Sequence, residues 1–558
     1  MKRYLKRISP LIFGQILCDA ISTIALAFMP YLIKVLFNQI HNMTVKDLLL
    51  LIVSYVGLLL ISLIFTYWHM ILLWKGTIKF EKLLKKDFFK ALCQYNYVRF
   101  NQKDVGGYIA IQSNEISELD MDYLAPLLDV FKSILALIIY GVILFVFVDW
   151  RIGIVIVSAS VLSTVLAPNI GSKRLSKKRK DYLDQKSTYF SKIKDLLEGK
   201  KLIKSKTLDA FIHQHEQTLS ETSEKRYQFG RFKSLIGVIC GFFMYFINVI
   251  AFSIVGFLLF FKQITVGDGV AAFGYIESFV SPIQSLIYDF SAIKSTKAIK
   301  EKVMSFLSYD ESTPLEIVDQ LQDEITFSDV NIAYEHFKME DFSFSFKKNN
   351  KYAIIGGNGS GKSTIIRALM KYINIDSGKI KIDEVDHVLL DTSSLLHCVD
   401  QHEHILQTSF LENTTVFSSY THSKLKELQT LIGQNRIEKI MYEKNCQKLS
   451  GGEKQLIGIA RALSSDSQVL LFDESSSSMD VEMRRKIHRL IADLSHQTII
   501  SVTHDIDDHL NNFDEVLVMK EGQLCLSGKW QTIKDTQVVN ELSQAVQNNE
   551  FFSYKVRF

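Results

Sequence analysis

The chain has 558 residues, too many for a single domain, and its formal charge of +4 is too small to indicate a nucleic-acid-binding protein. Its six cysteines lie far apart and form no C-x-x-C pair, so they indicate free thiols in a reducing compartment rather than a disulfide framework or a zinc site. All six prolines lie at or before Pro314, whereas the glycine motifs follow it, which predicts two physically different halves.

The first residues are basic, and a long apolar run follows them. A signal peptide also begins with basic residues before an apolar region, and here the basic residues are Lys2, Arg3, Lys6 and Arg7. The run at 11–40 is too long for a signal peptide, however, and no small-residue cleavage site is evident. The sequence therefore predicts a membrane-spanning helix.

The first half contains enough apolar sequence for six membrane spans. A helix needs about 20 apolar residues to cross a hydrocarbon core of about 30 Å. The fourth predicted span is marginal by its apolar length. The six predicted spans are 9–40, 48–74, 128–149, 152–170, 234–261 and 268–290.

Charge predicts how these spans are oriented. The connections at 75–103 and 171–206 are rich in lysine and arginine, whereas the other connections are short and nearly neutral. By the positive-inside rule, the N-terminus and both basic loops are cytoplasmic. Six spans then return the chain to the cytoplasm near Lys294. Apolar residues recur at helical spacing within 75–95, so the spans are expected to continue as helices beyond the membrane.

Polar residues inside spans are costly and are therefore candidates for function. Lys34 and Asp289 are explained equally well as residues near span ends that extend to the interface, and His69 as an interface anchor beside two aromatic residues. Glu277 lies closer to the middle of its span, where it either lines a cargo path or makes an interhelical hydrogen bond. The candidates are Asp19, Lys34, His69, Asn248, Glu277 and Asp289.

After a predicted linker at 309–323, the pattern changes to strands. Residues 324–327 and 342–346 alternate as antiparallel strands do. Tyr334 lies between them and is either an aromatic that stacks on adenine or a tyrosine at a strand edge.

A phosphate-binding loop follows. Its residues fit G-x-x-x-x-G-K-[ST], and they lie between an apolar strand at 352–355 and a predicted helix at 365–370. Glycines allow backbone N–H groups to surround phosphate oxygens, Lys362 reaches the β- and γ-phosphates, and Ser363 is a ligand for Mg²⁺. The loop consists of Gly356, Gly357, Asn358, Gly359, Ser360, Gly361, Lys362, Ser363 and Thr364.

Two later apolar strands each end in polar residues. The strand beginning at Val469 ends in Asp473 and Glu474, the Walker-B arrangement, in which the first acid holds Mg²⁺ and the second orients or polarises the attacking water. The strand 498–502 is followed by His504, which is placed to contact the γ-phosphate.

The stretch Leu449-Ser450-Gly451-Gly452-Glu453 resembles the LSGGQ signature of ABC transporters. Gln401 resembles the family's Q-loop glutamine, 477–480 its D-loop, His504 its switch histidine and Tyr334 its adenine-stacking aromatic. The resemblance implies that Gln401 contacts the nucleotide and its metal ion. It also implies that Ser450, Gly451 and Gly452 bind the nucleotide held by a partner chain.

The resemblance also implies the architecture. An all-α transmembrane domain of six helices with two cytoplasmic coupling loops would occupy 1–308. The segment 324–558 would be an α/β P-loop NTPase domain with an antiparallel β subdomain and a helical signature subdomain. Residues 100–106 resemble the first coupling loop of the family, and residues 197–211 resemble the second. Residues 265–268 resemble the usual entry to the sixth span.

Several residues depart from the family pattern. Glu453 stands where Gln is commoner, Asp400 where many relatives have Pro, and Met479 where Leu is usual. The stretch 401–449 is short and lacks a recognisable acidic X-loop, so coupling between the domains is expected to differ in detail.

The function implied is ATP-driven export of a cargo across the cytoplasmic membrane, with ATP and Mg²⁺ as cofactors. One copy is half a transporter and is expected to pair with a second half, as a homodimer or a heterodimer, among membrane lipids and without nucleic acid. A peptide, a lipid, a drug or a small metabolite is possible as cargo. An importer that uses the exporter fold and an ATP-gated, non-transporting regulator are the alternatives. Intact Glu474 and His504 favour a hydrolysing enzyme.

Overall fold

The computed structural model describes residues 1–155, 158, 171–308, 315–334, 337–421, 440, 441 and 443–547. The chain falls into two compact units. The first contains Met1–Gln94 and Asp104–Asp310, and the second contains Tyr95–Lys103 and Glu311–Phe558.

The first unit is helical throughout its described regular structure. Four of its helical stretches are long and apolar enough to cross a membrane: Lys2–Asn42, Val45–Cys93, Val105–Phe147 and Val266–Ser295. Its longer helices are Lys2–Ala27, Met29–Gln39, Val45–Cys93, Ala125–Phe147, Ser172–Glu198, Leu208–Phe260, Val266–Ser295 and Lys297–Leu307.

Five of the six predicted spans fall on described helices. The first, second and sixth lie within three of the long apolar stretches, and the third extends two residues past the end of Val105–Phe147. The fifth lies in Leu208–Phe260, whose apolar part is Asn248–Phe260. Most of the fourth predicted span, 152–170, lies outside the described residues.

The predicted continuation of the spans as helices is confirmed. Val45–Cys93 has 49 residues, and at 1.5 Å per residue it is about 74 Å long, more than twice the hydrocarbon thickness. It begins with a capping box in which Thr44 and Asp47 satisfy each other's backbone N–H groups. Thr265 and Asp268 form the same device at the start of Val266–Ser295, and Asp268 also pairs with Lys34 at 2.7 Å.

The second unit is built on a six-stranded sheet. In chain order its strands are β4 (Lys351–Gly356), β8 (Leu396–Val399), β9 (Val469–Asp473), β10 (Thr498–Val502), β11 (Glu515–Lys520) and β12 (Gln523–Gly528). The order across the sheet is β12-β11-β4-β10-β9-β8, parallel except for the pairing of β11 with β12. The central strands are largely apolar and almost entirely buried, because helices cover both faces of such a sheet.

A separate antiparallel sheet confirms the predicted strands before the phosphate loop. Its order is β3-β2-β5-β6, with β2 at Glu324–Tyr334, β3 at Phe337–Lys347, β5 at Ser377–Ile382 and β6 at Val385–Asp386. Phe327, Phe342 and Phe346 are fully buried and pack edge to face.

Helices flank the motifs of the second unit. The helix after the phosphate loop is Lys362–Leu369, and the helix after the signature, which we call the signature helix, is Gly451–Ser464. The others are Phe410–Thr414, Val481–Asp493, Trp530–Ile533 and Gln537–Gln547.

Two short segments belong to the second unit in addition to the predicted nucleotide-binding domain. In the predicted linker, Glu316–Ile317 forms strand β1, which pairs with β7 at Leu390–Asp391, and Leu321 is fully buried. Residues 95–103 also belong to this unit, where the ring of Tyr97 lies 4.3 Å from that of Tyr372. Residues 309–314 of the predicted linker lie outside the described residues.

Candidate functional site

The motifs predicted from the sequence meet at one edge of the parallel sheet. The phosphate loop follows β4, Gln401 follows β8, the two acids close β9, and His504 follows β10. These four strands are parallel neighbours, so their carboxyl ends share one edge. Ligands of open α/β sheets bind at this edge.

The backbone of the phosphate loop requires glycine. Gly359 and Gly361 have φ values of 75° and 102°, in the left-handed region that residues with a Cβ avoid. A Cβ on Gly361 would also lie 2.9 Å from the ring of Phe337. Ser360 is buried, and within the described structure its hydroxyl has no hydrogen-bond partner. The loop therefore fits a group rich in acceptor oxygens, such as a phosphate chain.

Lys362 places a cation inside this loop. Its ammonium donates to the carbonyl oxygens of Gly356 at 3.0 Å and Gly357 at 2.8 Å. Burial lowers the pKa of Lys362 to about 8, although the nearby carboxylates of Glu474 and Asp473 act to raise it. A bound polyphosphate would further stabilise the charged form.

Ser363 and Asp473 form the pair that fits a magnesium ion. The Ser363 hydroxyl donates to Asp473 Oδ1 at 2.7 Å, so a hydroxyl and a carboxylate lie side by side. Burial raises the pKa of Asp473, although the hydrogen bond from Ser363 opposes this. Hard oxygen donors of these two kinds are the protein ligands that Mg²⁺ takes beside a nucleotide.

Glu474 joins the ends of two neighbouring strands. Its φ of 51° is unusual for a residue with a side chain. Glu474 Oε2 accepts a hydrogen bond of 2.8 Å from Gln401 Nε2, and Oε1 pairs with His504 Nε2. Burial acts to raise the pKa of Glu474, but the hydrogen bond and charge of His504 outweigh it, so the net pKa is lowered. Glu474 is therefore a carboxylate at neutral pH.

Tyr334 lies at the end of β2, where it is 44% exposed. Its ring is 6.0 Å from that of Phe337, the residue that contacts Gly361 of the phosphate loop. An exposed aromatic face beside the loop is available for stacking on a planar base. Phe337 was not predicted, because a phenylalanine in an alternating strand gives no signal of its own.

The signature motif forms the start of a helix. Ser450 is the N-cap of the signature helix, and Glu453 accepts from the Ser450 backbone N–H at 2.8 Å and from its hydroxyl at 2.7 Å. The unusual Glu453 therefore completes a capping box, which a carboxylate does as well as an amide. Gly452 approaches the D-loop closely, since a Cβ there would lie 3.0 Å from the Ser478 carbonyl oxygen.

Gln455 is a site residue that the sequence analysis missed. It is 2% exposed, and its amide donates to the Gln401 carbonyl and to the Ser477 hydroxyl while accepting from the Ser478 N–H. It thus ties the Q-loop to the D-loop from inside the signature helix. A glutamine on the buried face of an otherwise apolar helix was the available signal.

Asp400, in the position where many relatives have proline, has a clear structural role. Its backbone N–H donates to Glu403 Oε1 at 2.9 Å, and Glu403 Oε2 pairs with Arg461 at 3.0 Å. Both charged side chains are largely buried. The Q-loop is therefore attached to the signature helix by a charged hydrogen-bond network that requires an N–H at position 400.

The polar candidates of the membrane unit occupy different environments. Asp19 and His69 are buried 3.7 Å apart, and Lys132 lies 3.4 Å from Asp19. Asp289 is also buried, whereas Glu277 is exposed. A role for Asp19, His69 or Glu277 in contacting cargo stays a prediction.

Two protein-family models match the chain. The model described as the ABC transporter transmembrane region matches residues 12–283, and the model described as ABC transporter matches residues 339–477. Together they cover most of the chain.

Curated relatives match less than half of the chain. It is 28% identical over 265 residues to ABC transporter gloK of Glarea lozoyensis, covering 44% of this chain and 20% of that protein. It is 27% identical over 286 residues to the ATP-dependent lipid A-core flippase of Francisella novicida, covering 48% of each. It is 27% identical over 293 residues to ATP-binding cassette sub-family B member 6 of Xenopus tropicalis, covering 48% of this chain and 34% of that protein. The chain thus spans at most about half the length of these relatives.

A solved structure resembles nearly the whole chain. A bacterial Atm1-family ABC exporter with ATP bound is similar with a TM-score of 0.83 and 18% identity, covering 97% of this chain and 98% of that chain. At this identity the likeness shows the fold alone.

We expect Lys362→Ala to abolish nearly all binding and hydrolysis of ATP, because it removes the buried cation of the phosphate loop. The protein should still insert into the membrane. Nucleotide binding and phosphate release by the purified full chain measure this. Lys379→Ala, which removes an exposed lysine of β5, is the control. Undiminished activity in Lys362→Ala would refute the assignment of the loop.

We expect Asp400→Pro to lower the stability of the second unit by about 1–3 kcal/mol, since it deletes a hydrogen bond to a buried carboxylate. Asp400→Ala keeps the backbone N–H and is the matched control. Thermal unfolding of the full chain measures both. Equal midpoints for the two variants would show that the N–H of residue 400 is unimportant.

Proposed function

Because the chain belongs to the ABC transporter family, we propose that it is an ATP-driven exporter that works as a dimer by alternating access. The observation that carries the proposal is the cluster of Gln401, Glu474 and His504 beside the phosphate loop. These three side chains are needed for turnover of ATP and not merely for its binding.

The phosphate loop supplies the binding energy for ATP. Backbone N–H groups of the loop and the N-terminus of the helix Lys362–Leu369 face the phosphates. Lys362 adds a positive charge in a buried position, where an electrostatic interaction is stronger than in water. Tyr334 stacks on the adenine ring.

Glu474 is the general base of hydrolysis. Its carboxylate is ionised at neutral pH, and Gln401 and His504 hold both of its oxygens. A water between this carboxylate and the γ-phosphate is oriented for in-line attack. Its proton passes to Glu474 as the new O–P bond forms and the bond to the β-phosphate oxygen breaks, which releases ADP and phosphate. His504 donates from Nε2, so it orients the carboxylate and adds a donor near the transferred phosphoryl group.

Ser363, Asp473 and Gln401 hold a magnesium ion in this proposal. Such an ion would supply positive charge that offsets the negative charge of the phosphate chain. The hydroxyl and carboxylate already in contact at 2.7 Å support the first two ligands. Gln401 is also hydrogen-bonded to Glu474, so it links the metal site to the base.

A second chain completes each ATP site. One chain carries one phosphate loop and one signature, and in a head-to-tail pair the signature of each chain covers the ATP of the other. Ser450, Gly451 and Gly452 supply donors at the N-terminus of a 14-residue helix, whose dipole favours the γ-phosphate. A homodimer and a heterodimer are both compatible with these residues.

Transport follows from the different affinities of the two states for ATP. ATP joins the nucleotide-binding domains and biases the membrane halves outward, and hydrolysis separates the domains again. The N-terminus and the nucleotide-binding domain are cytoplasmic, and the membrane is the cell membrane. An importer with the same fold would use the same ATP site. An ATP-gated regulator would not need the Gln401–Glu474–His504 cluster, which therefore favours a transporter.

The cargo is a peptide, a lipid, a drug or a small metabolite. The similarity of part of the chain to a lipid A-core flippase supports a lipid among these.

We expect Glu474→Gln to lower ATP hydrolysis by about 10²–10⁴-fold, the usual loss when a general base is removed. ATP binding should persist because Lys362 and Ser363 are unchanged. The closed dimer should accumulate, and an ATP-dependent crosslink between cysteines placed near Ser360 of one chain and near Ser450 of the other detects it.

The matched control is Glu482→Gln, which removes an exposed carboxylate of the helix Val481–Asp493. If Glu474→Gln hydrolyses ATP as fast as the control, Glu474 is not the base. Negligible hydrolysis by the unmodified protein with every partner and cargo tested would favour the regulator.

We expect residues 42–46 to be outside the cell and residue 102 inside, because of the distribution of basic residues. Single cysteines at the exposed positions Asn42 and Gln102, in a variant without the six native cysteines, are labelled in intact cells with a membrane-impermeant maleimide. Asn42 avoids the capping box of Thr44 and Asp47. Labelling at residue 102 and not at residue 42 would contradict the predicted topology.

A further inference from the structure

The first unit contains a cavity of about 600 Å³. Its walls come from the helices Ser172–Glu198, Leu208–Phe260 and Val266–Ser295, together with Glu118 and Asp122 from the helical stretch before Ala125. Its volume is within the range of about 300–1,000 Å³ that small-molecule sites occupy. It lies where the basic stretch 171–206 meets the start of the fifth predicted span, the end predicted to be cytoplasmic.

One end of the cavity is a closed ion cluster. Arg179, which is 8% exposed, pairs with Glu118 and with Asp122 and donates to the Ser295 hydroxyl. One guanidinium thus binds both carboxylates and ties three helical segments together. One guanidinium balances only one of the two carboxylates, so this end of the cavity stays acidic and does not attract an anion.

The other cation of the cavity, Lys233, is available. Its ammonium lies 5.4 Å from the centre of the Tyr288 ring, a cation–π distance. In the described part of the chain, no ion pair holds it. Ser234 and Gln284 also line the cavity, and their neutral side chains can donate hydrogen bonds. An ammonium without an ion pair suits an anionic group, and the two neutral donors can add hydrogen bonds to it.

The remaining wall is apolar and leaves space. Phe229, Ile236 and Ile287 line it, and the rings of Phe229 and Tyr182 are parallel. Gly237 and Gly241 lie one turn apart on the helix that carries Lys233, and a Cβ on either would meet nothing within 4 Å. The glycines therefore open the wall next to the ammonium, where an apolar body fits.

We propose that this cavity binds the cargo and that the cargo is an amphipathic organic anion of drug-like size. Its acidic group pairs with Lys233, and its apolar body lies over Gly237 and Gly241 against Tyr288 and Phe229. That the ligand is the cargo rests on the proposed function, transport. Its chemical class is inferred from the residues that line the cavity.

The test measures binding to the full chain in phosphatidylcholine nanodiscs without nucleotide. The probes are a dansyl-labelled medium-chain fatty acid, its neutral methyl ester and the corresponding amine. We expect the unmodified protein to bind the acid about tenfold more tightly than the ester or the amine. Lys233→Gln should remove this preference and Lys233→Arg should keep it. Lys225→Gln, an exposed lysine of the same helix outside the cavity, should also keep it. Equal affinity for the three probes, a preference for the amine, or an unchanged preference in Lys233→Gln would overturn the proposal.

A second pair of variants tests the location. Gly237→Phe places a ring in the cavity and should abolish binding of both the acid and the ester. Gly256→Phe, at an exposed glycine of the same helix with equal free space, should bind both probes normally. Equal binding by the two variants would place the ligand elsewhere. If the probe binds in a Lys233-dependent way but the protein hydrolyses no ATP, the transport proposal is refuted and the binding site stands. Failure of the binding site can therefore be distinguished from failure of the proposed function.

Discussion

The parallel pairing of β8, β9, β10 and β4 is the constraint on which the nucleotide site depends. Neighbouring parallel strands end at the same edge of a sheet, so residues separated by more than a hundred positions in the chain become neighbours there. The central strands are largely apolar and almost entirely buried, as expected for parallel strands covered on both faces. Each strand then contributes to the site through the residues at its carboxyl end. The chemistry of the site is a property of four strand ends held by one hydrophobic sheet.

The charged groups at this edge of the sheet shift one another's pKa values. Burial makes every ion there costly, and it lowers the pKa of Lys362 and raises that of Asp473. Glu474 is the exception, because His504 lowers its pKa against the effect of burial. One carboxylate is thus stabilised in the ionised form at the position where a base is needed. The same histidine also fixes the direction of that carboxylate.

Buried polar side chains connect loops and helices that are separate in the chain. Gln455 bonds to both the Q-loop and the D-loop, and Arg461 with Glu403 attaches the Q-loop to the signature helix. In the membrane unit, Arg179 plays the same part for three helical segments around the cavity. Such networks are sensitive to the loss of one member, because the groups left behind stay buried without a partner. They are therefore places where a single substitution affects positioning as well as stability.

Local patterns in the sequence determined the two-part architecture, the helices at five of the six predicted spans, the strand–loop–helix of the phosphate site and the identity of its acids and histidine. Each of these depends on periodicity or on residues close together in the chain. Only the tertiary structure decided that Gln401 and His504 bind opposite oxygens of Glu474, that Gln455 joins two loops, and that Asp400 donates to Glu403. It alone also paired Arg179 with two distant acids and left Lys233 without an ion pair in the described part of the chain. The reason is physical: a hydrophobic pattern specifies which face of an element is buried, whereas the partner of a polar side chain depends on how separate elements pack.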